Sequence, residues 1–213
     1  MFKARYVPFT ERLKAYMELM RTHNLVNSAF AAIAGYIVSY GTFKGQISYD
    51  NLLLGVAIVV LVAAGGYVIN DYFDVEVDKV NKPYRPIPSG RVSPTSAYRL
   101  AITLFFIAFL LSLVLIMKDY IVGTFASAFA IFHIVLLYYY SKRLKEYGLL
   151  GNIVVSFSSF SSILYGGIVY SIGKYSLEHV CPSLIPALYA LSLIHISEPT
   201  RPLYISYAVF CLK

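Results

Sequence analysis

Long apolar stretches separated by short polar segments dominate the pattern of this chain. Five of them are close to the ~20 residues that an α-helix needs to cross a bilayer. They cover roughly residues 23–40, 52–70, 98–117, 120–140 and 150–172. A sixth stretch begins near residue 180. The pattern therefore predicts an all-α protein, a polytopic transmembrane helical bundle.

Composition and the placement of charge support the same class. Hydrophobic residues make up 58% of the 213 residues, charged residues 14%, and the mean hydropathy is +0.66, as is typical of membrane proteins. The net charge is +7, but most basic residues precede the first stretch or follow the second and the fourth. The positive-inside rule then predicts a multi-pass protein of the cell membrane with a cytoplasmic N-terminus and a cytoplasmic loop after the second stretch. The expected partner is the lipid bilayer and not nucleic acid.

The densest group of acidic residues directly follows the second stretch. Asp71, Asp74 and Asp78 are spaced i, i+3 and i+7, so a helix would place them on one face beside Asn70, with Glu76 pointing elsewhere. The repulsion of three carboxylates is most simply relieved by a hard divalent cation, and carboxylate and amide oxygens suit Mg²⁺. The spacing favours a Mg²⁺ site, with a solvated helix end as the alternative.

A basic, proline-rich segment comes next, Asn81-Lys82-Pro83-Tyr84-Arg85-Pro86-Ile87-Pro88-Ser89-Gly90-Arg91. Its three prolines fix φ and prevent a helix from continuing, which predicts a stiff, ordered loop. Lys82, Arg85 and Arg91 could meet phosphate oxygens there, arginine through a bidentate fork and lysine as a point charge. Topology and lipid headgroup binding are the alternative roles, but the position of Arg85 between prolines favours substrate contact.

Residues 70–90 resemble the first aspartate-rich motif and following loop of the UbiA superfamily of intramembrane prenyltransferases. The family pattern runs Asn-Asp-x-x-Asp-x-x-x-Asp and continues into Asn-x-Pro-x-Arg-Pro-x-Pro-Ser-Gly, and every fixed position is present. Similarity of this kind covers roughly residues 15–190. The resemblance implies Mg²⁺ as cofactor, Asp71, Asp74 and Asp78 as its ligands and as catalytic residues, and Arg85 as a catalytic contact to phosphate.

Two further segments resemble elements of the same family. Arg21 and Asn24, one helical turn apart, match its Arg-x-x-Asn element, and Tyr138-Tyr139-Tyr140-Ser141-Lys142-Arg143-Leu144-Lys145 with Gly151-Asn152 matches a region that lines its cavity. A snorkelling anchor for Arg21 and an interfacial tyrosine belt are the alternatives, and spacing does not decide which tyrosine faces the cavity. Lys145 is also expected to be catalytic. The substrate contacts that the resemblance implies are Arg21, Asn24, Asn70, Lys82, Arg85, Arg91, Tyr140, Lys145 and Asn152.

The resemblance also implies a reaction. The metal and the basic loop would bind an allylic diphosphate and favour its ionisation, while apolar helices exclude water from the prenyl chain. The loop is most similar to that of family members that join geranylgeranyl diphosphate to geranylgeranylglyceryl phosphate in archaeal ether-lipid synthesis. A prenyl diphosphate and a lipid acceptor are therefore the expected substrates, and a quinone precursor or chlorophyllide is the alternative acceptor. A transporter that binds a divalent cation is the competing class.

Several other polar and small residues are expected to serve structure. His133 lies inside an apolar stretch, which favours a packed side chain hydrogen-bonded to a neighbouring helix. Cys181 and Cys211 lack metal-ligand spacing and predict neither a disulfide nor a zinc site. The fifth stretch has a small face, suited to close helix packing or to thinning a cavity wall. This face consists of Ser156, Ser158, Ser159, Ser161, Ser162, Gly166 and Gly167.

The C-terminal end departs from the pattern. Residues 197–202, Ser-Glu-Pro-Thr-Arg-Pro, interrupt the sixth stretch, and the apolar run after them is shorter than the ~20 residues of a span. Residues 191–213 also resemble a translated sequencing adapter. We therefore expect residues 1–190 to be the N-terminal part of the prenyltransferase domain and 191–213 to be a non-native tail, with a natural short family member that has a degenerate end as the alternative. The bundle would then be truncated after about five to six spans, and inactive for want of the family's second aspartate-rich motif.

Overall fold

The structure is a computed structural model, and it describes residues 8–143, 148–174 and 176–197, with side chains over 8–143, 153–174 and 176–192. Over these residues the chain forms eight α-helices and one 3₁₀ helix and no β-strand. The predicted all-α class is confirmed. The elements are α1 (Phe9–Met20), α2 (Thr22–Phe43), α3 (Tyr49–Phe73), α4 (Val75–Asn81), α5 (Pro94–Lys118), α6 (Tyr120–Lys142), α7 (Gly148–Ser171), the 3₁₀ helix (Glu178–Val180) and α8 (Cys181–Ser197).

Five of the described helical segments are long and apolar enough to cross a membrane. They are α2, α3, α5, α6 and residues Ile153–Ser171 of α7. Each coincides with one of the five predicted stretches, so the predicted multi-pass bundle is confirmed. The helix α8 begins at Cys181, where the sixth stretch is expected, and has 17 residues.

A buried aspartate closes the bundle at the end far from the acidic run. Asp119 separates α5 from α6, and its Oδ1 accepts hydrogen bonds from the backbone N–H groups of Ile121 and Val122, at 3.1 and 3.0 Å. Its Oδ2 accepts from the N–H of Gly173, just after α7, at 2.9 Å. One carboxylate therefore caps α6 and ties the end of α7 to the turn between α5 and α6.

The helices α2 and α7 cross at glycines. A Cβ atom on Gly35 would overlap the carbonyl oxygen of Ile163, and one on Gly166 would overlap the carbonyl oxygen of Ala32. Only a hydrogen atom fits at either position, so the two backbones are in direct contact, as at small-residue crossings in membranes. Gly166 in the small face of the fifth stretch is thus used for close packing, whereas four serines of the same face line a cavity between the helices.

A cluster of buried apolar residues supports the end of α3 that carries the acidic run. Ala15 and Leu19 of α1 are fully buried there with Val68 and Ile69 of α3 and Ile87 of the proline-rich loop. The cluster packs α1 and the loop against α3. It therefore fixes the position of the backbone from which the acidic and basic side chains project.

Candidate active site

The acidic residues lie where α3 passes into α4. The helix α3 ends at Phe73, and Asp74 sits at the junction with φ −85° and ψ 0°. Backbone hydrogen bonds from Asp74 to Asn70, at 3.0 Å, and from Asp78 to Asp74, at 2.8 Å, carry the i to i−4 pattern across it. Asp71 and Asp78 therefore stay on one face, as predicted, and both are 5% exposed. The side chain of Asp74 accepts from Asn70 Nδ2 at 2.8 Å.

Two arginines pair with the buried carboxylates. Arg21 Nη2 donates to Asp71 Oδ1 at 2.7 Å, and Arg85 Nη1 donates to Asp78 Oδ2 at 2.6 Å and to Asp71 Oδ1 at 3.1 Å. Burial alone would lower the pKa of Arg85, but the carboxylates of Asp71 and Asp78 outweigh burial and raise it, so the guanidinium stays charged. In this structure the arginine guanidinium groups offset the charge of the two carboxylates, and the expectation that a divalent cation does so stays a prediction.

Arg21 reaches the carboxylate from an unusual backbone conformation. It separates α1 from α2 with φ 54° and ψ 59°, the left-handed region that non-glycine residues rarely occupy. Its guanidinium also lies 5.2 Å from the ring centre of Tyr67, a cation–π distance. A residue held in a strained conformation by two side-chain contacts, here both from α3, is typical of functional sites.

The other basic residues of the loop point to different partners. Arg91 donates to both carboxylate oxygens of Glu18, at 2.7 and 3.1 Å, and to the carbonyl oxygen of Tyr84 at 2.7 Å. These contacts tie the loop to α1 and do not bring Arg91 to the acidic residues. Lys82 is exposed directly after α4. Substrate contact therefore stays a prediction for both residues, with Arg85 the basic loop residue that joins the carboxylates.

An apolar cavity of about 380 Å³ opens beside this charged group, between α2, α3, α6 and α7. Its walls include Val59, Val62 and Leu137. Its polar end contains four residues predicted to contact substrate, Arg21, Asn24, Asn70 and Tyr140. The structure therefore brings the predicted residues of three separate segments to one place.

The structure also distinguishes the three tyrosines at the end of α6. Tyr140 lines the cavity, whereas Tyr138 packs against Phe73, with ring centres 5.8 Å apart, and Tyr139 is exposed. Tyr140 is thus the tyrosine on the cavity side. Lys145 lies outside the described residues. Asn152 belongs to α7, but its side chain is not among the described ones.

Whether the site suits Mg²⁺ depends on the chemical type of its donor atoms and on how the acidic side chains are arranged. Asn70, Asp71, Asp74 and Asp78 supply hard oxygen donors, which suit this ion. Over the part of the chain that the structure describes, no group of three or more His, Cys, Asp or Glu side chains is arranged to hold a metal. The donor chemistry therefore fits Mg²⁺, while the two arginines hold the carboxylates in ion pairs. The three aspartates as metal ligands stay a prediction.

Sequence reasoning missed a second polar group, deep in the same cavity. His133, Ser161 and Tyr165 line it, and His133 Nε2, Ser161 Oγ and the Tyr165 hydroxyl are buried without a hydrogen-bond partner among the described residues. The expected bond from His133 to a neighbouring helix is wrong, because its Nδ1 bonds the carbonyl oxygen of Phe129 in its own helix at 2.9 Å. A neighbouring helix instead supplies Phe157, whose ring stacks on the imidazole. The available signal was the i, i+4 spacing of Ser161 and Tyr165.

The structure is a multi-pass helical bundle in which paired acids and arginines lie beside an apolar cavity. These features define a membrane protein suited to binding an anion with a long apolar chain. The chain belongs to the UbiA prenyltransferase family, whose model matches residues 28–200. The predicted family resemblance is confirmed.

Three curated relatives are digeranylgeranylglyceryl phosphate synthases. The protein of Sulfurisphaera tokodaii is 41% identical over 177 residues, covering 83% of this chain and 59% of the relative. The protein of Saccharolobus solfataricus is 42% identical over 186 residues, covering 87% and 61%. That of Ignicoccus hospitalis is 47% identical over 157 residues, covering 74% and 48%. The chain thus spans between about half and three-fifths of the length of these relatives.

A solved structure from a study of digeranylgeranylglyceryl phosphate synthase in membranes has the same fold. It superposes with a TM-score of 0.72 at 33% sequence identity. The match covers 86% of this chain and 60% of the other. The helical arrangement described above is therefore that of a membrane prenyltransferase.

Proposed function

We propose that this protein is a membrane prenyltransferase that transfers a geranylgeranyl group from its allylic diphosphate to geranylgeranylglyceryl phosphate, in archaeal ether-lipid synthesis. The names of its relatives support the substrates. The observation that carries the proposal is Arg21, which bonds the buried Asp71 and at the same time lines the polar end of the apolar cavity. Charged groups for a diphosphate and apolar walls for its chain therefore belong to one continuous site.

The charged residues would exchange partners when the donor substrate binds. Arg21 and Arg85 would pass from carboxylate oxygens to diphosphate oxygens, which guanidinium groups bind with the same geometry. Asp71, Asp74 and Asp78, with Asn70, would hold Mg²⁺, which when bound neutralises the charge that develops on the departing diphosphate. Tyr140 and Asn24 lie at the same end of the cavity and would contact the substrate there. Lys82, Arg91, Lys145 and Asn152 stay predicted contacts.

The bonds that break and form during the transfer define the reactive species that the site has to protect from water. The bond between C1 of the allylic chain and the diphosphate oxygen breaks, and the hydroxyl oxygen of the acceptor forms an ether bond to C1 and loses its proton. Water competes with the acceptor for the allylic cation, so the apolar walls formed by Val59, Val62 and Leu137 would protect it. We also place the acidic end on the cytoplasmic side, because the basic residues cluster in the segments at that end.

A turnover assay tests the proposal. The protein and a full-length relative are incubated in lipid with geranylgeranyl diphosphate and one of three acceptors, geranylgeranylglyceryl phosphate, a quinone precursor or chlorophyllide, with Mg²⁺ or a chelator. With the full-length relative, mass spectrometry should find only the diether product, and only with Mg²⁺. A product from the quinone precursor or chlorophyllide alone would transfer the proposal to that acceptor. Metal uptake without any product would favour the transporter.

Substitutions link the assay to the site. In the full-length relative, the changes that correspond to Asp71→Asn and Asp74→Asn should abolish turnover, since they remove the charge needed for the metal while keeping the shape. Glu76→Gln is the matched control, because Glu76 is exposed and pairs with Lys79. Arg85→Ala should weaken diphosphate binding by about 1.5–3 kcal/mol, the range of a charged hydrogen bond. Wild-type turnover in both aspartate variants would contradict the assignment of the metal site.

A further inference from the structure

The short helix α1 is not one of the membrane-spanning helices. Its twelve residues extend about 18 Å, too short to cross a bilayer core of about 30 Å. Arg21, in its left-handed conformation, is the single residue between α1 and α2, the first helix that is long and apolar enough to span. The helix α1 therefore begins its course at the end of a spanning helix, and its own surface decides which surroundings it suits.

The buried side of α1 fixes its level relative to the spanning helices. Two of its residues, Ala15 and Leu19, are fully buried. They share a cluster with Val68 and Ile69, in the last two turns of α3, and the polar run of α3 begins at the next residue, Asn70. The helix α1 therefore lies level with the end of the apolar part of a spanning helix, where lipid headgroups begin.

An apolar stripe runs along a second side of α1. Phe9, Leu13 and Met17 follow each other at i, i+4 and i+8, and they are 80, 52 and 46% exposed. At about 100° per residue the stripe covers an arc of about 80°, and its centre lies about 140° from the middle of the buried side. Tyr16 and Met20, both partly buried, lie between the two sides. At the level of the headgroups, the boundary of the acyl chains is the apolar medium that suits such a stripe.

The charged residues of α1 are sorted by sign around this stripe. Arg12 and Lys14 are exposed on its two flanks, each about 60° from the nearer edge of the stripe. Glu11 and Glu18 lie about 140–160° from its centre, on the opposite side of the helix. Arg91 of the proline-rich loop bonds both carboxylate oxygens of Glu18, at 2.7 and 3.1 Å. Basic groups beside the apolar stripe, with acidic groups remote from it, complement a surface of anionic lipid.

We propose that α1 lies in the membrane surface and binds anionic lipid. Phe9, Leu13 and Met17 enter the boundary of the acyl chains, and Arg12 and Lys14 contact the phosphate groups above it. None of these five residues lines the cavity of the candidate active site. The lipid contact is therefore separate from the proposed prenyl transfer and stands or falls without it.

A single introduced tryptophan reports on one position, because the sequence contains none. Leu13→Trp places it at the centre of the stripe, and Glu11→Trp places it about 160° around the helix, on the polar side. The Leu13→Trp protein also carries Glu11→Gln, so that both proteins have the same net charge. Each full-length chain is reconstituted in phosphatidylcholine vesicles, with brominated lipid as the quencher within the membrane and iodide as the quencher in water.

The two positions should respond in opposite ways. Brominated lipid should quench Leu13→Trp severalfold more than Glu11→Trp, and iodide should quench Glu11→Trp severalfold more than Leu13→Trp. The buried contacts of Ala15 and Leu19 prevent the helix from rotating either reporter into the other environment. Phe9→Trp, also with Glu11→Gln, should behave like Leu13→Trp. It replaces one aromatic ring by another and provides the result should Leu13→Trp not fold.

Two outcomes of this measurement would overturn the proposal. Equal quenching by lipid at the stripe and at Glu11→Trp would show that α1 does not lie in the membrane surface. Protection of Leu13→Trp and Phe9→Trp from lipid and from iodide alike would show that protein covers the stripe, as in contact with a second copy of the chain.

A second measurement tests the preference for anionic lipid. Leu13→Trp with Glu11 retained is placed in vesicles of equal parts phosphatidylcholine and phosphatidylglycerol, with bromine on one lipid or the other. Brominated phosphatidylglycerol should quench about 2- to 5-fold more, and the combined change of Arg12→Gln and Lys14→Gln should remove the difference. Lys44→Gln is the matched control, since this exposed lysine lies at the opposite end of α2, and it should keep the preference. Equal quenching by the two lipids before the change, or an undiminished preference after it, would overturn the assignment of anionic lipid.

Discussion

The α2–α7 crossing and the acidic end of α3 are both buried, yet they are held together by different forces. At the crossing, Gly35 and Gly166 let two backbones touch, and stability comes from shape. At the acidic end, Asp71 and Asp78 are buried against Arg21 and Arg85, and stability comes from opposite charges. Steric contact is insensitive to salt and to ligands, whereas an ion pair can exchange its partner.

The comparison distinguishes a structural contact, the α2–α7 crossing, from a candidate binding site, the acidic end of α3. In the proposed function a diphosphate would offer Arg21 and Arg85 new oxygen acceptors, so the charged end would reorganise when it binds. The glycine crossing offers no alternative contact, and the cavity wall formed by α7 therefore keeps its position. Each prediction below tests one side of this comparison.

The largest effect is expected from Gly166→Ala. The new Cβ would overlap the carbonyl oxygen of Ala32, and a backbone atom cannot move aside as a side chain can. Overpacking of this kind should lower the free energy of unfolding by about 3 kcal/mol, measured by thermal or denaturant unfolding in detergent. The matched control is Gly41→Ala, since no atom lies within 4 Å of its Cβ position. It should stabilise α2 by about 0.5–1 kcal/mol. Equal stability of the two variants would show that the crossing is loosely packed.

The sequence predicts the packed region, meaning the helices α2 and α7 around their crossing, more directly than it predicts the charged end of α3. Apolar stretches of membrane-spanning length predict five of the helices, and the small residues before and after Gly166 predict a close crossing, because both depend on local pattern. The identity of the crossing partner, α2, does not follow, since nothing in the spacing of Gly35 refers to α7. The predicted boundary near residue 190 stays a prediction, and α8 runs across it to Ser197.

The sequence predicts which residues form the charged site, but not which of them form ion pairs with each other. Helical periodicity places Asp71 and Asp78 on one face, and the motif identifies Arg85. The ion pair between Arg21 and Asp71 joins residues 50 positions apart, so it depends on how α1 and α2 dock on α3. The group of His133 Nε2, Ser161 Oγ and the Tyr165 hydroxyl, which have no partner among the described residues, joins two helices and was missed for the same reason.

Arg85→Met should have the second-largest effect. It removes the partner of Asp78 and one of two partners of Asp71, leaving buried carboxylates less well paired. We expect a loss of about 2 kcal/mol of unfolding free energy at low salt, and a smaller loss at high salt, where screening weakens the pair in the wild type as well. Lys79→Met is the control, because it breaks an exposed i, i+3 pair with Glu76 that contributes about 0.5 kcal/mol or less. A loss that does not change with salt would mean that Arg85 stabilises by packing.

A third prediction concerns two buried tyrosines in the packed region. Tyr165→Phe removes a hydroxyl that lacks a partner in the described part of the chain, so the ligand-free protein should be unchanged or more stable by up to about 1 kcal/mol. Tyr36→Phe is the matched control, because the Tyr36 hydroxyl accepts from the N–H of Ser48 at 2.9 Å and donates to its carbonyl oxygen at 3.2 Å. This variant should lose about 1 kcal/mol. Destabilisation of both by the same amount would show that Tyr165 is paired.

The smallest effect tests a charge at the far end of the packed region. Lys174 follows α7, and burial lowers its pKa from 10.5 to about 8. Between these values the unfolded chain binds more protons than the folded chain, so the stability contributed by this group rises as the pH rises from about 8 to 10.5, and its cost is complete below 8. Lys174→Met should therefore stabilise the protein at pH 7.5 and lose this advantage towards pH 10.5. Because Lys174 is only partly buried, solvent screens the effect to less than about 1 kcal/mol. Lys44→Met makes the same change at an exposed lysine and is the matched control. Parallel pH profiles for wild type and Lys174→Met would show that the Lys174 ammonium group is solvated and that charge at this end of α7 carries no cost.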